Sequence, residues 1–298
     1  MLPGCGGDDA DSVQVAGGQA PGSALVSWAL AERPRTIDPL YASSDADRLA
    51  ARQIYEPLVE ELGAPYGDAR RFGGPALSVD PSAGDTVWRV RLRPGVRFQD
   101  GTPLDTAAVI ANAKRWLATP GGQALLGSAA VDSPDDELVR FTLPAPDPAF
   151  DQALAAPQLG LVSPRAIADA GGELAPSEAE ASGTGPFELR ERSADRMLLA
   201  RNTAWWGSSH GLGPAIDQLE LLAIASPRER FASLREGSVQ VAAALGPAEL
   251  REVGSDPLLS VVPEPGPGAL AVERSVRGIP AGEAPPALNA LWLTRLTD

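Results

Sequence analysis

One cysteine, Cys5, and one histidine, His210, serve a chain of 298 residues, and that scarcity limits its chemistry. A lone cysteine closes no intramolecular disulfide, and one cysteine with one histidine cannot build a Cys/His zinc cluster or a two-histidine metal motif on a helix. A Ser-His-Asp triad would have to use His210, which stands in Gly207-Ser208-Ser209-His210-Gly211. That small, polar run reads as an exposed loop, so a solvated imidazole is expected. The adjacent carboxylates Asp8/Asp9, Glu60/Glu61 and Asp135/Asp136 lie in polar surroundings and are expected as solvated acidic turns rather than acid/base pairs. No Walker loop and no Gly-x-Gly-x-x-Gly occurs. Gly183-Thr184-Gly185 lacks the third glycine and meets Pro186 where a phosphate-binding helix needs a free N–H. The chain is therefore expected not to be an enzyme, and to require no cofactor and no metal.

Charge excludes a further class. Acidic side chains number 39 against 25 basic ones, a net charge of −14, and Lys114 is the only lysine. The scattered arginines make no basic stripe, and an acidic surface repels phosphate backbones, so no nucleic-acid partner is expected. No apolar run approaches the roughly 20 residues of a membrane-spanning helix.

The elements that must position these side chains can be read in order. Leu25 to Leu30 alternates, with Val26, Trp28 and Leu30 on one face of a half-buried strand. Ser44 is placed to cap a helix in which Ala46, Ala50 and Ile54 recur every four residues, and Pro57 stops it. Trp88, Val90 and Leu92 oppose Arg89, Arg91 and Arg93 on a strand with one wet face. Asp105 is placed to cap a helix with an apolar stripe of Val109, Ala113, Trp116 and Leu117. Val139, Phe141 and Leu143 give another strand, and further strands are expected at Phe187 to Arg190, Arg196 to Arg201 and Ile216 to Ile224. Ser226-Pro227-Arg228-Glu229 predicts a reciprocal capping box, with Gly237 as the left-handed stop. A strand over Val239 to Leu245, a short helix over Pro247 to Val253, and strands at Leu258 to Val262 and Ala269 to Glu273 complete the order. Interleaved strands and helices define a mixed α/β class.

Met1-Leu2-Pro3-Gly4-Cys5 has the Leu-x-Gly-Cys pattern of a bacterial lipobox, in which a lipid is attached to the cysteine. The glycines and acids that follow, up to Gly22, read as a flexible tether.

Several segments, in order, resemble the family 5 extracellular solute-binding proteins, the oligopeptide-, dipeptide- and nickel-binding components of ABC importers. They are Thr36-Ile37-Asp38-Pro39-Leu40, Ile54-Tyr55-Glu56-Pro57-Leu58-Val59, the stretch from Trp88 to Leu104, Gly183-Thr184-Gly185-Pro186-Phe187, Arg201-Asn202 with Trp205-Trp206-Gly207, and Leu234-Arg235-Glu236-Gly237-Ser238-Val239. For Trp88 to Leu104 and for Trp205 and Trp206 the expected role is to hold the fold rather than touch ligand. Two departures stand out: the acid of the helix after Leu104 has moved to the cap at Asp105, and Gln240 stands where the family carries an aspartate.

The resemblance implies a periplasmic-binding-protein-like α/β fold of type II. It divides the chain into a tether (1–22), a first-lobe core (23–42 and 183–275), an inserted α+β subdomain (43–182) and a C-terminal tail (276–298), with the second lobe missing. It further implies a monomeric extracytoplasmic protein, lipid-anchored at Cys5 to the outer face of the membrane, that hands a peptide or other polar solute to an ABC permease. A half-clamp acting in the cell envelope without transport, or completed by a partner chain, is the other reading. The ligand side of an α/β sheet lies at the C-terminal ends of its parallel strands. That rule points to Glu32, Arg33 and Pro34 after the first strand and to Ala244, Leu245 and Gly246 after the strand ending near Leu245.

Overall fold

The computed structural model describes residues 25–62, 71–170, 181–210, 214, 216–253, 255–256, 258–263 and 270–274. Strand β1 (Leu25–Leu30) leads through an irregular arch to helix α1 (Asp45–Ile54). The helix starts where expected because Ser44 accepts from the Asp47 N–H and Asp47 in turn accepts from the Ser44 N–H, a complete capping box. A ribbon of β2 (Glu60–Leu62) and β3 (Arg71–Gly73) follows, then β4 (Ala76–Ser82) and β5 (Val87–Leu92). Helix α2 (Thr106–Leu117) is capped by Asp105, whose carboxylate accepts from the Ala108 N–H at 2.8 Å. After α3 (Pro120–Leu126) come β6 (Ala130–Asp135), β7 (Leu138–Thr142), α4 (Phe150–Leu154) and α5 (Pro164–Asp169). The chain then forms β8 (Phe187–Arg192), β9 (Arg196–Arg201), β10 (Gln218–Ala223), α6 (Pro227–Glu236), β11 (Val241–Ala243), α7 (Pro247–Val253), β12 (Leu259–Pro263) and β13 (Leu270–Arg274).

Two sheets organise these elements. The larger has the order β12-β13-β11-β1-β10-β9-β8, with β1 parallel to both β10 and β11. Alternation on β1 divides its faces. Trp28 and Leu30 pack with Ile54 of α1, Phe187, Leu199 and Leu219 in one core, while Ala29 joins Phe231 and Leu234 of α6 in another. The smaller sheet, β4-β5-β7-β6, is antiparallel and buries Trp88, Val90, Val139 and Phe141 against α2, α3 and α4. Its outer face carries Arg89 opposite Arg140, with Arg140 bonded to Asp132. Helix α1 lies within the segment expected as the inserted subdomain, yet it packs on the larger sheet.

Two local expectations are corrected. Ser226 caps α6 by accepting from the Glu229 N–H at 3.3 Å, but the reciprocal bond is absent among the described residues; the complete box is at Ser44 and Asp47. Strand β11 is only three residues long because Ala244 takes a left-handed φ of 51°, which breaks the extended run before Leu245.

The two sheets are joined where the chain from Gly183 to Gly185 crosses the end of α1. Gly185 N–H donates to the Ile54 carbonyl at 2.9 Å, and a Cβ on Gly183 would come within 2.1 Å of that same oxygen. Gln99, at the turn after β5, inserts its amide here and donates to the carbonyls of Phe187 at 2.7 Å and Gly185 at 3.2 Å, while its own N–H donates to the Gly183 carbonyl at 2.9 Å. Gly183→Ala is therefore expected to lower unfolding free energy by at least about 3 kcal/mol in urea titrations, the upper range for forced overpacking. Gly121→Ala, whose Cβ meets open space in α3, should instead raise it by about 0.5 kcal/mol.

Candidate functional site

Strands β1, β10 and β11 run parallel, and β8 runs the same way because β9 is antiparallel to both β8 and β10. Their C-terminal ends consequently share one rim of the sheet. The structure places Glu32, Arg33 and Pro34 at this rim after β1, and Ala244, Leu245 and Gly246 beside them after β11, adjacent because Ala29 is in register with Ala242. Glu32 and Arg33 are exposed, Pro34 is buried, Ala244 is exposed and Leu245 and Gly246 are half-buried.

Two arginines absent from the sequence expectation shape this rim. Arg230 of α6 is 2% exposed and reaches across the end of β1. Its guanidinium donates to the carbonyls of Ile224 at 2.6 Å and Ala225 at 2.9 Å after β10, and of Ala243 at 2.9 Å and Ala244 at 2.6 Å after β11. The left-handed conformation of Ala244 is thus held by a charge-assisted bond to its carbonyl. Burial holds the Arg230 guanidinium below its ordinary pKa, partly offset by Glu249 nearby. Arg192, the last residue of β8, donates to the carbonyls of Pro34 at 2.6 Å and Arg35 at 3.0 Å. From the other side Asp47 accepts from the Arg35 N–H at 2.6 Å and the Thr36 N–H at 3.3 Å. Burial raises the Asp47 pKa, but these bonds and those from Ser44 outweigh it and hold the carboxyl below its usual range. One ionised pair of side chains therefore clamps both edges of the arch from Pro34 to Thr36. The carbonyls of Pro34 and Ala244 are already committed, whereas the N–H groups of Leu245 and Gly246 have no partner among the described residues.

With this geometry established, similarity to known proteins becomes informative. The family described as "Bacterial extracellular solute-binding proteins, family 5 Middle" matches residues 72–278. The chain belongs to that family. This family 5 protein is 27% identical over 265 residues to the "Probable D,D-dipeptide-binding periplasmic protein DdpA" of Escherichia coli K12, covering 86% of the chain and 50% of DdpA. It is 29% identical over 216 residues to the "Glutathione-binding protein GsiB" of the same strain, covering 70% of the chain and 40% of GsiB. Its fold is similar to that of the periplasmic binding protein DppA from Helicobacter pylori in complex with peptide STSA, with a TM-score of 0.68 and 21% identity over 80% of this chain and 50% of that one. The chain spans about half the length of the curated relatives it matches.

The family motifs map onto internal junctions of this family 5 chain. Asn202 is buried in a turn, donates to the Gly185 carbonyl at 3.0 Å and accepts from the Ala204 N–H at 3.0 Å. Asp38 is fully buried and ion-paired with Arg115 of α2. Glu56 accepts from the indole N–H groups of Trp205 at 3.2 Å and Trp206 at 2.9 Å. Trp205 and Trp206 therefore anchor on an acid at the end of α1. Gln240, the departure from the family pattern, accepts from the Ser27 N–H at 2.8 Å and so ties its segment to β1.

The expectation of a solvated acidic turn at Glu60 and Glu61 is overturned for Glu60, which is 7% exposed and sits 3.6 Å from Arg52. Burial pushes the Glu56 carboxyl up to about 8; the Trp206 hydrogen bond opposes that shift, and the charge of Glu60 adds to it. Asp8, Asp9 and Cys5 lie outside the described residues.

His210 is exposed in the turn after Trp206, with Nδ1 3.0 Å from Ser209 Oγ and Nε2 3.4 Å from Arg93. Gly207 to Gly211 spells Gly-x-Ser-x-Gly, the letters of a nucleophile elbow, which requires a strand running into a tight turn and then a helix. Here Ser209 lies in a short 3₁₀ turn and donates to the Trp206 carbonyl at 2.8 Å.

The raised Glu56 pKa has a definite sign. Below about 4.5 both folded and unfolded chains hold the proton; from there to about 8 only the unfolded chain releases it, so stability falls as pH rises through that window. Each unit of separation corresponds to about 1.4 kcal/mol. Urea midpoints of the wild type should decline between about pH 5 and about pH 8, and Glu56→Gln should remove most of that slope. An unchanged slope in the variant would assign the ionisation to another group.

Proposed function

We propose that this chain is the solute-binding component of an ABC importer, taking up a peptide or similar polar solute outside the cytoplasm and presenting it to a membrane permease. The observation that carries this reading is the family match over residues 72–278, which spans most of the larger sheet and the second half of its C-terminal rim. Named relatives support the class of ligand: DdpA carries a dipeptide in its name, GsiB glutathione, and DppA holds peptide STSA. Binding fits a rim whose Arg192, Arg230 and Asp47 side chains are set in place by hydrogen bonds to backbone.

In this reading the rim residues divide the work. Glu32 pairs with an ammonium or amide of the solute. Arg33 offers a cation beside it. Pro34 and Ala244 shape the surface, because their carbonyls are held by Arg192 and Arg230. The N–H groups of Leu245 and Gly246 bond an extended backbone as an added strand would. The protein acts as a monomer, and a lipid on Cys5 with the tether behind it holds the chain at the outer face of the membrane. Among the described residues no helix is long and apolar enough to cross a bilayer.

Two measurements test this. Glu32→Ala should weaken binding of labelled short peptides by roughly ten- to a hundredfold, the loss of one charge-assisted hydrogen bond; equal affinity of variant and wild type would discard Glu32 from the site. Intact mass of protein recovered from membranes should show a diacylglycerol adduct that disappears in Cys5→Ser, and an unmodified Cys5 would remove the anchor.

A further inference from the structure

Several arginines of this acidic chain hold carboxylates: Arg115 holds Asp38, Arg140 holds Asp132, Arg196 holds Glu220 and Arg201 holds Asp217. The arch after β1 is different. Arg33 and Arg35 are both exposed, and neither side chain has a hydrogen bond or ion pair among the described residues. Arg192 stands close enough for the two like charges of Arg33 and Arg192 to repel; burial first, and then Arg33, holds the Arg192 guanidinium below its ordinary pKa. Asp47 offsets part of this repulsion, but its oxygens accept from the amides of Arg35, Thr36 and Ser44 and not from the Arg33 side chain. Meanwhile the backbone that carries Arg33 is rigid, gripped by Arg192 through the Pro34 and Arg35 carbonyls and by Asp47 through the Arg35 and Thr36 amides.

A fixed backbone presenting an unpaired guanidinium next to a second cation is a preorganised receptor for an anion, and the planar fork of arginine matches a carboxylate through two parallel N–H bonds. We propose that Arg33, at the C-terminal rim of β1 and backed by Arg192, recognises a carboxylate of the solute, so that the protein selects ligands with a free acid group. This inference rests on the peptide-binding reading of the same rim and adds to it the end of the ligand that is read there. Glu32, one residue earlier, supplies the opposite charge, so the first rim segment is matched to a ligand bearing both an ammonium and a carboxylate.

Isothermal titration of the full chain with trialanine and with trialanine amide tests it. Wild type should bind the acid about tenfold more tightly than the amide, a difference of about 1.4 kcal/mol. Arg33→Gln should bring the affinity for the acid down to that for the amide and leave the amide unchanged. Since Arg33 is exposed and its backbone is held by other residues, the thermal midpoint of this variant should match wild type. Arg251→Gln, on the exposed side of α7, should keep the tenfold preference. Equal binding of acid and amide by wild type, or a preference that survives Arg33→Gln, overturns the carboxylate assignment while the peptide reading stands. Binding of neither probe overturns the peptide reading itself, and the assignment with it.

Discussion

Everything in this fold depends on one close approach of backbone to backbone. The carbonyl of Ile54 receives the N–H of Gly185 at 2.9 Å, and a Cβ on Gly183 or Gly185 would fall 2.1 or 2.6 Å from that oxygen. Only a chain without side chains at both positions can lie so near the end of a helix. The approach starts β8, fixes where α1 stops, and opens the slot that the Gln99 amide fills. Because Gln99 comes from the smaller sheet and Phe187 from the larger, one set of hydrogen bonds determines how the two sheets meet. The ion pair of Asp38 with Arg115 repeats the device from the other side of α1. A buried pair of this kind contributes orientation more than net stability, since desolvation offsets much of its attraction.

Much of this was legible in the sequence because it is written locally. Alternation set the faces of β1, β5 and β7, and caps at Ser44, Asp105 and Ser226 located three helix starts to the residue. What escaped is non-local. The enclosure of Glu56 involves a tryptophan pair about 150 positions away, and no window of neighbouring residues records that. The early end of β11 came from the same source: Val239 to Leu245 reads as a continuous apolar strand, but Arg230 takes the Ala244 carbonyl and turns the chain aside. At the rim, the rule that ligands meet the C-terminal ends of parallel strands pointed to two segments that the structure places side by side, because it needs only strand order and direction. It could not find Arg192 or Arg230, whose side chains act on backbone remote in sequence.

Glu56 shows how a motif can look functional and serve the fold. An acid beside a glycine-threonine-glycine loop and a pair of tryptophans has the composition of a binding pocket. In place, both carboxyl oxygens are used by indole N–H groups, and those indoles are packed, Trp205 against Trp206 at 5.3 Å between ring centres and Trp206 beneath the Arg93 guanidinium at 4.7 Å. A carboxyl so enclosed keeps its proton over most of the neutral range, which removes the cost of an unpaired buried charge and leaves two hydrogen bonds in its stead. The displaced titration of Glu56 thus belongs to the frame of the fold.

The rim obeys the opposite logic. Its carbonyls at Pro34, Arg35, Ala243 and Ala244 are held by Arg192 and Arg230 and its Arg35 and Thr36 amides by Asp47, so the loops are ordered before a ligand arrives and little conformational freedom is lost on binding. Its exposed Glu32 and Arg33 side chains have no partner among the described residues, so a ligand bound there as proposed would displace water rather than an internal ion pair. Such a surface gains affinity from preorganisation while each individual contact remains modest and solvent-screened. Modest contacts release their ligand readily, and the proposed carriage of a solute needs release as much as capture. Rigid backbone with open charges suits that proposed role.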